Sequence, residues 1–223
     1  MKMRIFAASM LLVGIVSGIG LQASAEHSQI NAKPSLADTL ITVTPPPLPD
    51  YEDVEAHATY SGTKTVTYDV TTRGVITADT DEFARLAHET LADPRGWVRM
   101  GITFERVATN GDFTLVLSAA DMMTSFSALG CDAAWSCNVG KNVIINQDRW
   151  LGATTPWNAA GGSLRDYRHM VINHEVGHNL GREHESCAKQ GNLAAVMQQQ
   201  SFDLQGCKFN PWPLPSEAVR RAE

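Results

Sequence analysis

The stretch HEVGHNLGREH, from His174 to His184, constrains this chain more than any other part of it. Residues four apart lie on one face of an α-helix, so His174 and His178 can direct two imidazoles at one metal ion, with Glu175 beside them. A catalytic zinc needs a third protein ligand and an open position for water, and His184 can be that ligand only if the chain leaves the helix sharply. Gly181 permits the turn, because a left-handed residue at a helix end is favourable without a Cβ.

This stretch predicts a hydrolytic zinc site. The metal ligands are expected to be His174, His178 and His184, and Glu175 is expected to act as general base toward a zinc-bound water. The alternative interpretation of the same stretch is an amphipathic helix that carries surface histidines and no metal. We therefore expect Zn²⁺ as the cofactor.

The first 25 residues have the features of a secretory signal peptide. Lys2 and Arg4 precede an apolar run from Ile5 to Leu21, and Ala23-Ser24-Ala25 forms a small-x-small cleavage site. A retained membrane anchor is the alternative, because the apolar run is long for a signal peptide. We expect a secreted, extracytoplasmic protein that has no membrane contact after cleavage.

Cleavage leaves an acidic protein. The full chain has 18 Lys and Arg and 24 Asp and Glu, and the signal segment contains Lys2 and Arg4 but no acidic residue, so the exported part carries 16 − 24 = −8. A protein of this charge has no basic stripe for nucleic acid or anionic lipid. The expected partner is a peptide or protein substrate, and we expect a monomer.

Residues 26–61 are expected to lie outside the packed domain. They contain few large apolar residues and include Thr44-Pro45-Pro46-Pro47-Leu48-Pro49, a composition that favours extended polyproline conformation. The segment is a linker or a pro-segment, and it has no Cys that could plug the zinc as a thiolate. Residues 62–213 suffice for one catalytic domain with its own core, and residues 214–223 form a C-terminal tail.

Two helices and a first strand are predicted from periodicity and caps. Lys64 to Val70 alternates as a half-buried strand, and Asp79 to Ala92 is an amphipathic helix with a capping-box start. Ser163 caps the helix that carries the zinc motif, whose buried ridge is formed by Ile172, Val176 and Leu180.

Four more segments are predicted to be strands. Ile102 to Ala108 and Phe113 to Ser118 are expected to form a hairpin that turns at Asn110-Gly111. Ala133 to Cys137 and Asn142 to Asn146 are expected to pair with each other. The order is then strand, helix, four strands and the zinc helix.

The chain resembles a bacterial family of exported zinc metalloprotease-like proteins, catalogued as a domain of unknown function, in the metzincin clan. Besides the zinc motif, the resemblance rests on Asp93–Trp97, Ile145–Asn146, Arg149–Trp150, Tyr167–Arg168, Glu185–Cys187, Val196–Gln200, Gly206–Cys207 and Asn210–Pro213. It implies an α+β, metzincin-like fold in which a twisted, mixed five-stranded sheet backs the active-site helix.

The resemblance also implies roles for two further regions. Metzincins carry a methionine in a tight turn beneath the zinc, and Met197, the one Met after the motif, is assigned to this Met-turn. In the same clan the strand before the last is an antiparallel edge that pairs with substrate. By resemblance, that edge is formed by Ala133, Ala134, Trp135 and Ser136.

Four cysteines lie in the exported part, and an even number there favours disulfides. Three connectivities are possible. Cys131 with Cys137 and Cys187 with Cys207 is the favoured set, because short loops close at lower entropy cost. Zinc ligation by cysteine is the alternative, but the chain has no CxxC pair.

The predicted function is a secreted zinc-dependent endopeptidase. Two alternatives stay open: a zinc-dependent amide hydrolase acting on cell-wall peptides, and a catalytically silent, zinc-stabilised secreted binding module. Zinc and base would act alike on protein and cell-wall amides, so the sequence does not separate the endopeptidase from the cell-wall amide hydrolase. Glu175 argues against the binding module, because a purely structural zinc site has no use for a base.

Overall fold

A computed structural model describes residues 64–219 of the chain; the predicted signal peptide and Pro-rich segment lie outside these residues. Its strands are β1 (Lys64–Arg73), β2 (Ile102–Arg106), β3 (Phe113–Ser118), β4 (Cys137–Val139) and β5 (Asn142–Asn146). Its α-helices are α1 (Thr80–Ala92), α2 (Gln147–Gly152), α3 (Thr155–Ala159) and α4 (Leu164–Asn179). Two short 3₁₀ helices span Trp97–Met100 and Ala120–Ser125.

The strands form one mixed sheet in the order β2-β1-β3-β5-β4, which confirms the expected α+β fold with five strands. The pairs β1 with β2, β1 with β3, and β3 with β5 are parallel, whereas β4 runs antiparallel to β5 at one edge. Helix α4 contacts β4 and β5, so the zinc motif lies beside the antiparallel edge. The sheet therefore places one free strand edge next to the motif.

The predicted hairpin at Asn110-Gly111 is wrong. Strands β2 and β3 run in the same direction and lie on opposite sides of β1, where Arg106 and Phe113 both face Tyr68 in register. The chain crosses over β1 between them, and a Cβ on Gly111 would lie 2.6 Å from the Tyr68 Cα. Asn110 does adopt the left-handed φ of 60° that its sequence signal indicates. The Asn110-Gly111 pair therefore predicts the local backbone conformation correctly, but it does not predict which strands pair.

The predicted strand at Ala133–Cys137 is also corrected. Strand β4 begins only at Cys137, and Ala133 to Ser136 form a turn. The cause is the disulfide between Cys131 and Cys137, whose Cα atoms are 5.7 Å apart. Six residue steps in extended conformation would span about 20 Å, so the bridged loop must fold back on itself and cannot be a strand.

The zinc-motif helix α4 is held by its cap and by its buried face. The Ser163 side chain accepts a hydrogen bond from the Asp166 amide at 3.0 Å, as its N-cap role requires. Of the predicted ridge, Ile172 and Val176 are fully buried in the main core, whereas Leu180, the C-cap of the helix, is half-buried against it. The Trp97 indole donates to the Asn173 carbonyl at 2.9 Å and joins α4 to the first 3₁₀ helix.

The packed domain extends beyond the predicted boundary at Pro213. Glu217 and Ala218 are 2% and 3% exposed, and Ala218 belongs to the main core. The segment Leu214–Val219, called the C-terminal segment below, is therefore part of the domain and not a tail. Within the span from residue 64 to residue 219, no helix is long and apolar enough to cross a membrane.

Both favoured disulfides are present. Cys131 is joined to Cys137, and Cys187 is joined to Cys207. The first bridge closes the loop that leads into β4. The second ties the chain just after the zinc motif to the segment that follows Met197, so the two bridges restrain both sides of the motif.

Candidate metal centre

The three histidines of the motif converge on one point. One ring nitrogen from each of His174, His178 and His184 can be chosen so that all lie within 4.8 Å of one another. The Nε2 atoms of His178 and His184 are 3.0 Å apart. A tetrahedral zinc with bonds of 2.0–2.1 Å holds its nitrogen ligands about 3.3–3.4 Å apart. A small adjustment of the rings therefore gives the spacing that zinc requires.

Hydrogen bonds to backbone carbonyls orient two of these rings. The Nδ1 atom of His174 donates to the Val196 carbonyl at 2.8 Å, and the Nδ1 atom of His178 donates to the Arg182 carbonyl at 2.8 Å. Because a carbonyl oxygen can only accept, both neutral rings carry their proton on Nδ1. Their Nε2 lone pairs are left for a metal, which is the arrangement typical of zinc-binding histidines.

Gly181 brings the third histidine to the site. It follows the helix with a φ of 78°, and its amide donates to the His178 carbonyl at 2.9 Å. The Arg182 amide donates back to the Gly177 carbonyl at 2.9 Å, which completes a Schellman-type helix end. The reversed chain then carries His184 toward the two helix histidines, as the sequence predicts.

Met197 lies in a tight turn beneath the helix. The Gln198 amide donates to the Ala195 carbonyl at 3.0 Å, so Val196 and Met197 are the central residues of the turn. Met197 is fully buried, and a Cβ on Gly177 would lie 2.3 Å from its Sδ atom. The methionine therefore packs directly against the helix between the two histidines.

Glu175 is adjacent to the histidines and nearly enclosed. Its side chain is 5% exposed, yet it lines the same cleft as the three imidazoles. Removal from water disfavours the charged carboxylate and raises the pKa of Glu175 to about 8. The carboxyl group is thus placed to exchange a proton with a molecule held in the cleft.

The histidine environment favours neutral imidazoles. Burial lowers the pKa of His174 to about 3, with further lowering by His178 and His184. Burial also lowers the pKa of His184, with His178 acting in the same direction. Neutral imidazole is the form that binds metal, so the surroundings keep these ligands ready for a cation near neutral pH.

The histidines and Glu175 lie in an open cleft of about 500 Å³. Its lining includes Trp135 and Ser136, which lead into β4, and Ser201 and Phe202, which follow Met197 in the chain. The Trp135 and Phe202 rings meet edge to face with centroids 5.9 Å apart, so an aromatic pair joins these two parts of the lining.

The structure brings only part of the predicted substrate edge to the cleft. Trp135 and Ser136 line it, whereas Ala133 and Ala134 are exposed on the turn and do not. The free edge beside the cleft is β4 itself, which pairs with β5 and with no other strand among the described residues. The candidate edge therefore moves from residues 133–136 to Cys137–Val139.

Three residues near the site carried no recognised signal in the sequence. Gly177 is required by the close approach of Met197, and Phe202 packs edge to face on Trp135 in the lining of the cleft. Glu217, assigned to a tail, is buried beneath the turn that holds Met197. Each of the three acts through a contact with a residue distant in the chain. Of these contacts, only the one at Gly177 could have been anticipated, from a glycine inside a helix.

Comparison with known proteins gives a family and no activity. The family described as "Protein of unknown function (DUF3152)" matches residues 50–215, which include all of the cleft and both disulfides. No curated protein matches the chain.

Proposed function

The chain belongs to the DUF3152 family, and we propose that it is a zinc-dependent endopeptidase of the metzincin type that acts outside the cytoplasm. The observation that carries the proposal is the convergence of three imidazoles beside a buried Glu175 in an open cleft. A structural zinc site is closed by a fourth protein ligand, whereas this cluster has three protein ligands and solvent access.

The donor set fits zinc, which prefers imidazole nitrogen and tetrahedral geometry with one open position in hydrolytic sites. When bound, it would supply a Lewis acid that acidifies water and polarises a carbonyl. His174, His178 and His184 would hold the ion, and Glu175 would take a proton from water in the cleft and deliver it to the departing amine. Met197 supports the helix from below, where its sulfur contacts Gly177.

An extended peptide is the substrate form that this cleft suits. The edge strand Cys137–Val139 offers free backbone groups beside the histidines, so a peptide can add to the sheet as a further antiparallel strand. Backbone pairing would fix the direction of the peptide and place one of its carbonyls beside the three histidines. The two disulfides support an oxidising location outside the cytoplasm.

The decisive experiment compares Glu175→Gln with the wild type. The variant keeps the size of the side chain but has no basic carboxylate, so zinc content and melting temperature should be retained while cleavage falls about 10²- to 10⁴-fold. Glu105→Gln is the matched control, because Glu105 is an exposed residue on β2 far from the motif in sequence. It should cleave like the wild type.

The substrate panel should contain peptide libraries, folded proteins and cell-wall peptide fragments. Cleavage of cell-wall fragments alone would move the assignment to the amide-hydrolase alternative. A Glu175→Gln protein with full zinc that still cleaves within a few-fold of wild type would remove Glu175 from the mechanism. A wild-type protein that binds zinc and peptides but cleaves nothing would support the alternative of a catalytically silent binding module.

A further inference from the structure

The C-terminal segment Leu214–Val219 places a buried carboxylate under the metal centre. Glu217 is 2% exposed, and its two oxygens accept three backbone N–H groups. Oε2 accepts from Val196 at 2.9 Å and from Leu214 at 2.7 Å, and Oε1 accepts from Met197 at 2.8 Å. Two of the three donors are thus the central residues of the turn beneath the histidines.

The same turn orients His174 through its other side. Val196 donates its N–H to Glu217, and its carbonyl accepts the Nδ1 proton of His174 at 2.8 Å. A continuous path of two hydrogen bonds and one residue therefore joins the Glu217 carboxylate to a metal-ligand ring. Partners of this kind fix which nitrogen of a histidine is protonated and how its ring is turned.

The C-terminal segment also reaches the second helix histidine. The Val219 carbonyl accepts a hydrogen bond from the Arg182 guanidinium, which is buried. The Arg182 carbonyl in turn accepts the Nδ1 proton of His178 at 2.8 Å. The C-terminal segment therefore contacts both Val196 and Arg182, the two residues whose carbonyls accept hydrogen bonds from His174 and His178.

A role in stability alone accounts poorly for a carboxylate at this position. Burying a charged group has a large desolvation cost, and apolar residues of similar volume often stabilise a core as well or better. What a carboxylate adds is two acceptor oxygens on one rigid group, which here hold consecutive amides of one turn. Orientation of that turn is the property that an apolar residue could not supply.

We propose that Glu217 is a positioning residue of the metal centre, which holds the turn at Val196–Met197 so that His174 presents Nε2 to the metal. The proposal rests on the metal site of the proposed function and adds to it that the last described segment of the chain sets metal affinity. Glu217 does not touch substrate or metal; it acts through Val196.

Glu217→Gln tests the proposal, because the amide has one acceptor oxygen and presents an NH₂ group to at least one of the three N–H donors. Zinc affinity, measured by competition with a chromophoric chelator, should fall about 10- to 100-fold. Glu217→Asp keeps both oxygens on a shorter stem and should lie between the variant and the wild type. Val66→Ala is the control, because it opens a cavity in β1 without touching the turn and should bind zinc like the wild type.

A second readout needs no metal. Long-range ¹⁵N–¹H spectra of the metal-free protein should show His174 protonated at Nδ1 in the wild type and in Val66→Ala, and a mixture of tautomers in Glu217→Gln. If Glu217→Gln does not fold, the same two measurements on Glu217→Asp decide, with a several-fold loss of affinity relative to Val66→Ala expected.

Wild-type zinc affinity together with an unchanged His174 tautomer in the folded Glu217 variant would overturn the proposal. A loss of affinity that Val66→Ala matches would also overturn it, because a merely structural role predicts that result. If the wild type binds no zinc, the proposed function fails, yet the tautomer measurement still shows whether Glu217 positions His174.

Discussion

The Sδ atom of Met197 fills the space directly beneath Gly177, so a Cβ on that glycine would lie 2.3 Å from the sulfur. The same Cβ would lie 2.8 Å from a ring carbon of Trp97. Gly177 is the residue before His178 in the motif, so any shift that relieves this crowding moves a histidine of the candidate metal site. Packing against Met197 and Trp97 therefore leaves no room for a side chain at position 177.

We expect Gly177→Ala to destabilise the protein by about 1–3 kcal/mol, the usual cost of overpacking a core. Thermal or denaturant unfolding measures the change, and zinc competition should show weaker binding. Gly152→Ala is the matched control, since a Cβ on Gly152 meets no atom within 4 Å. Combining Gly177→Ala with Met197→Ala should restore part of the loss, and strict additivity would argue against the contact as its cause.

Gly181 offers a cleaner test of backbone conformation. Its φ is 78°, and a Cβ there meets no atom within 4 Å, so substitution changes the backbone preference and little else. Gly181→Ala should lose about 1–2 kcal/mol of stability, the cost of a left-handed residue with a Cβ. Zinc affinity should fall on the order of 10-fold, because His184 follows this turn.

The matched control for Gly181→Ala is Gly161→Ala. Gly161 has a φ of 80° and equally open surroundings, but it lies before α4 and not at the metal centre. The two variants should unfold with similar losses of free energy, and only Gly181→Ala should weaken zinc binding. Equal zinc affinities would show that this turn does not position His184.

The parts of the fold that local sequence determines were predictable. Asp79 and Ser163 cap α1 and α4 through their side chains, as their places before amphipathic stretches indicate. The convergence of the three histidines was also predictable, because helix periodicity and one glycine turn bring them together. Each of these features depends on residues within about three helical turns of each other along the chain.

Features set by distant contacts were not predictable in this way. Asn110-Gly111 has the residues of a hairpin turn, but whether the flanking strands pair depends on β1, which lies between them. The sequence predicts a strand over Ala133 to Cys137, yet the disulfide between Cys131 and Cys137 forces a turn there. Glu217 looks like a residue of an exposed tail, and its burial depends on amides about 20 residues earlier.

The aromatic pair at the mouth of the cleft predicts a preference for large apolar side chains in the substrate. Phe202 is 67% exposed and meets Trp135 edge to face in the lining of the cleft, so an apolar side chain can pack against the exposed surface of a ring pair that is already in place. We expect Phe202→Ala to lose about 1 kcal/mol of binding, which raises KM roughly 5-fold. The effect should be confined to substrates with a large apolar residue near the scissile bond.

Steady-state kinetics on matched peptides, one with Leu and one with Ser at that position, measures this effect. Val75→Ala is the control, because Val75 is an exposed apolar residue outside the cleft. It should leave KM unchanged for both peptides. A Phe202→Ala protein that loses the same factor on the Ser peptide would show that the ring does not select apolar side chains.

His169, on the same helix as the motif, predicts an acid-sensitive stability that is separate from the metal. Thr90 Oγ1 donates to the Leu86 carbonyl at 2.7 Å, so it must accept the Nδ1 proton of His169 at 2.8 Å. The ring also packs on Trp212 with centroids 4.9 Å apart. Burial lowers the pKa of His169 to about 4, and Arg165 acts in the same direction.

The sign of the effect follows from proton binding. Between the ordinary pKa of 6.5 and a folded-state pKa of about 4, the unfolded chain binds this proton and the folded protein does not. Stability should therefore fall as the pH drops through this interval, with a contribution from His169 of at most about 1.4 kcal/mol per pH unit. His169→Gln removes the titration and should flatten this part of the curve.

Denaturant unfolding of the metal-free proteins from pH 7 to pH 4.5 measures the difference between wild type and His169→Gln. The metal-site histidines are present in both proteins, so their contribution cancels in the comparison. Val66→Ala is the control, because it opens a cavity in the core without removing a titratable group and should leave the slope of the wild-type curve. Parallel curves for wild type and His169→Gln would show that His169 gains its proton equally in the folded and unfolded states, contrary to its burial against Trp212.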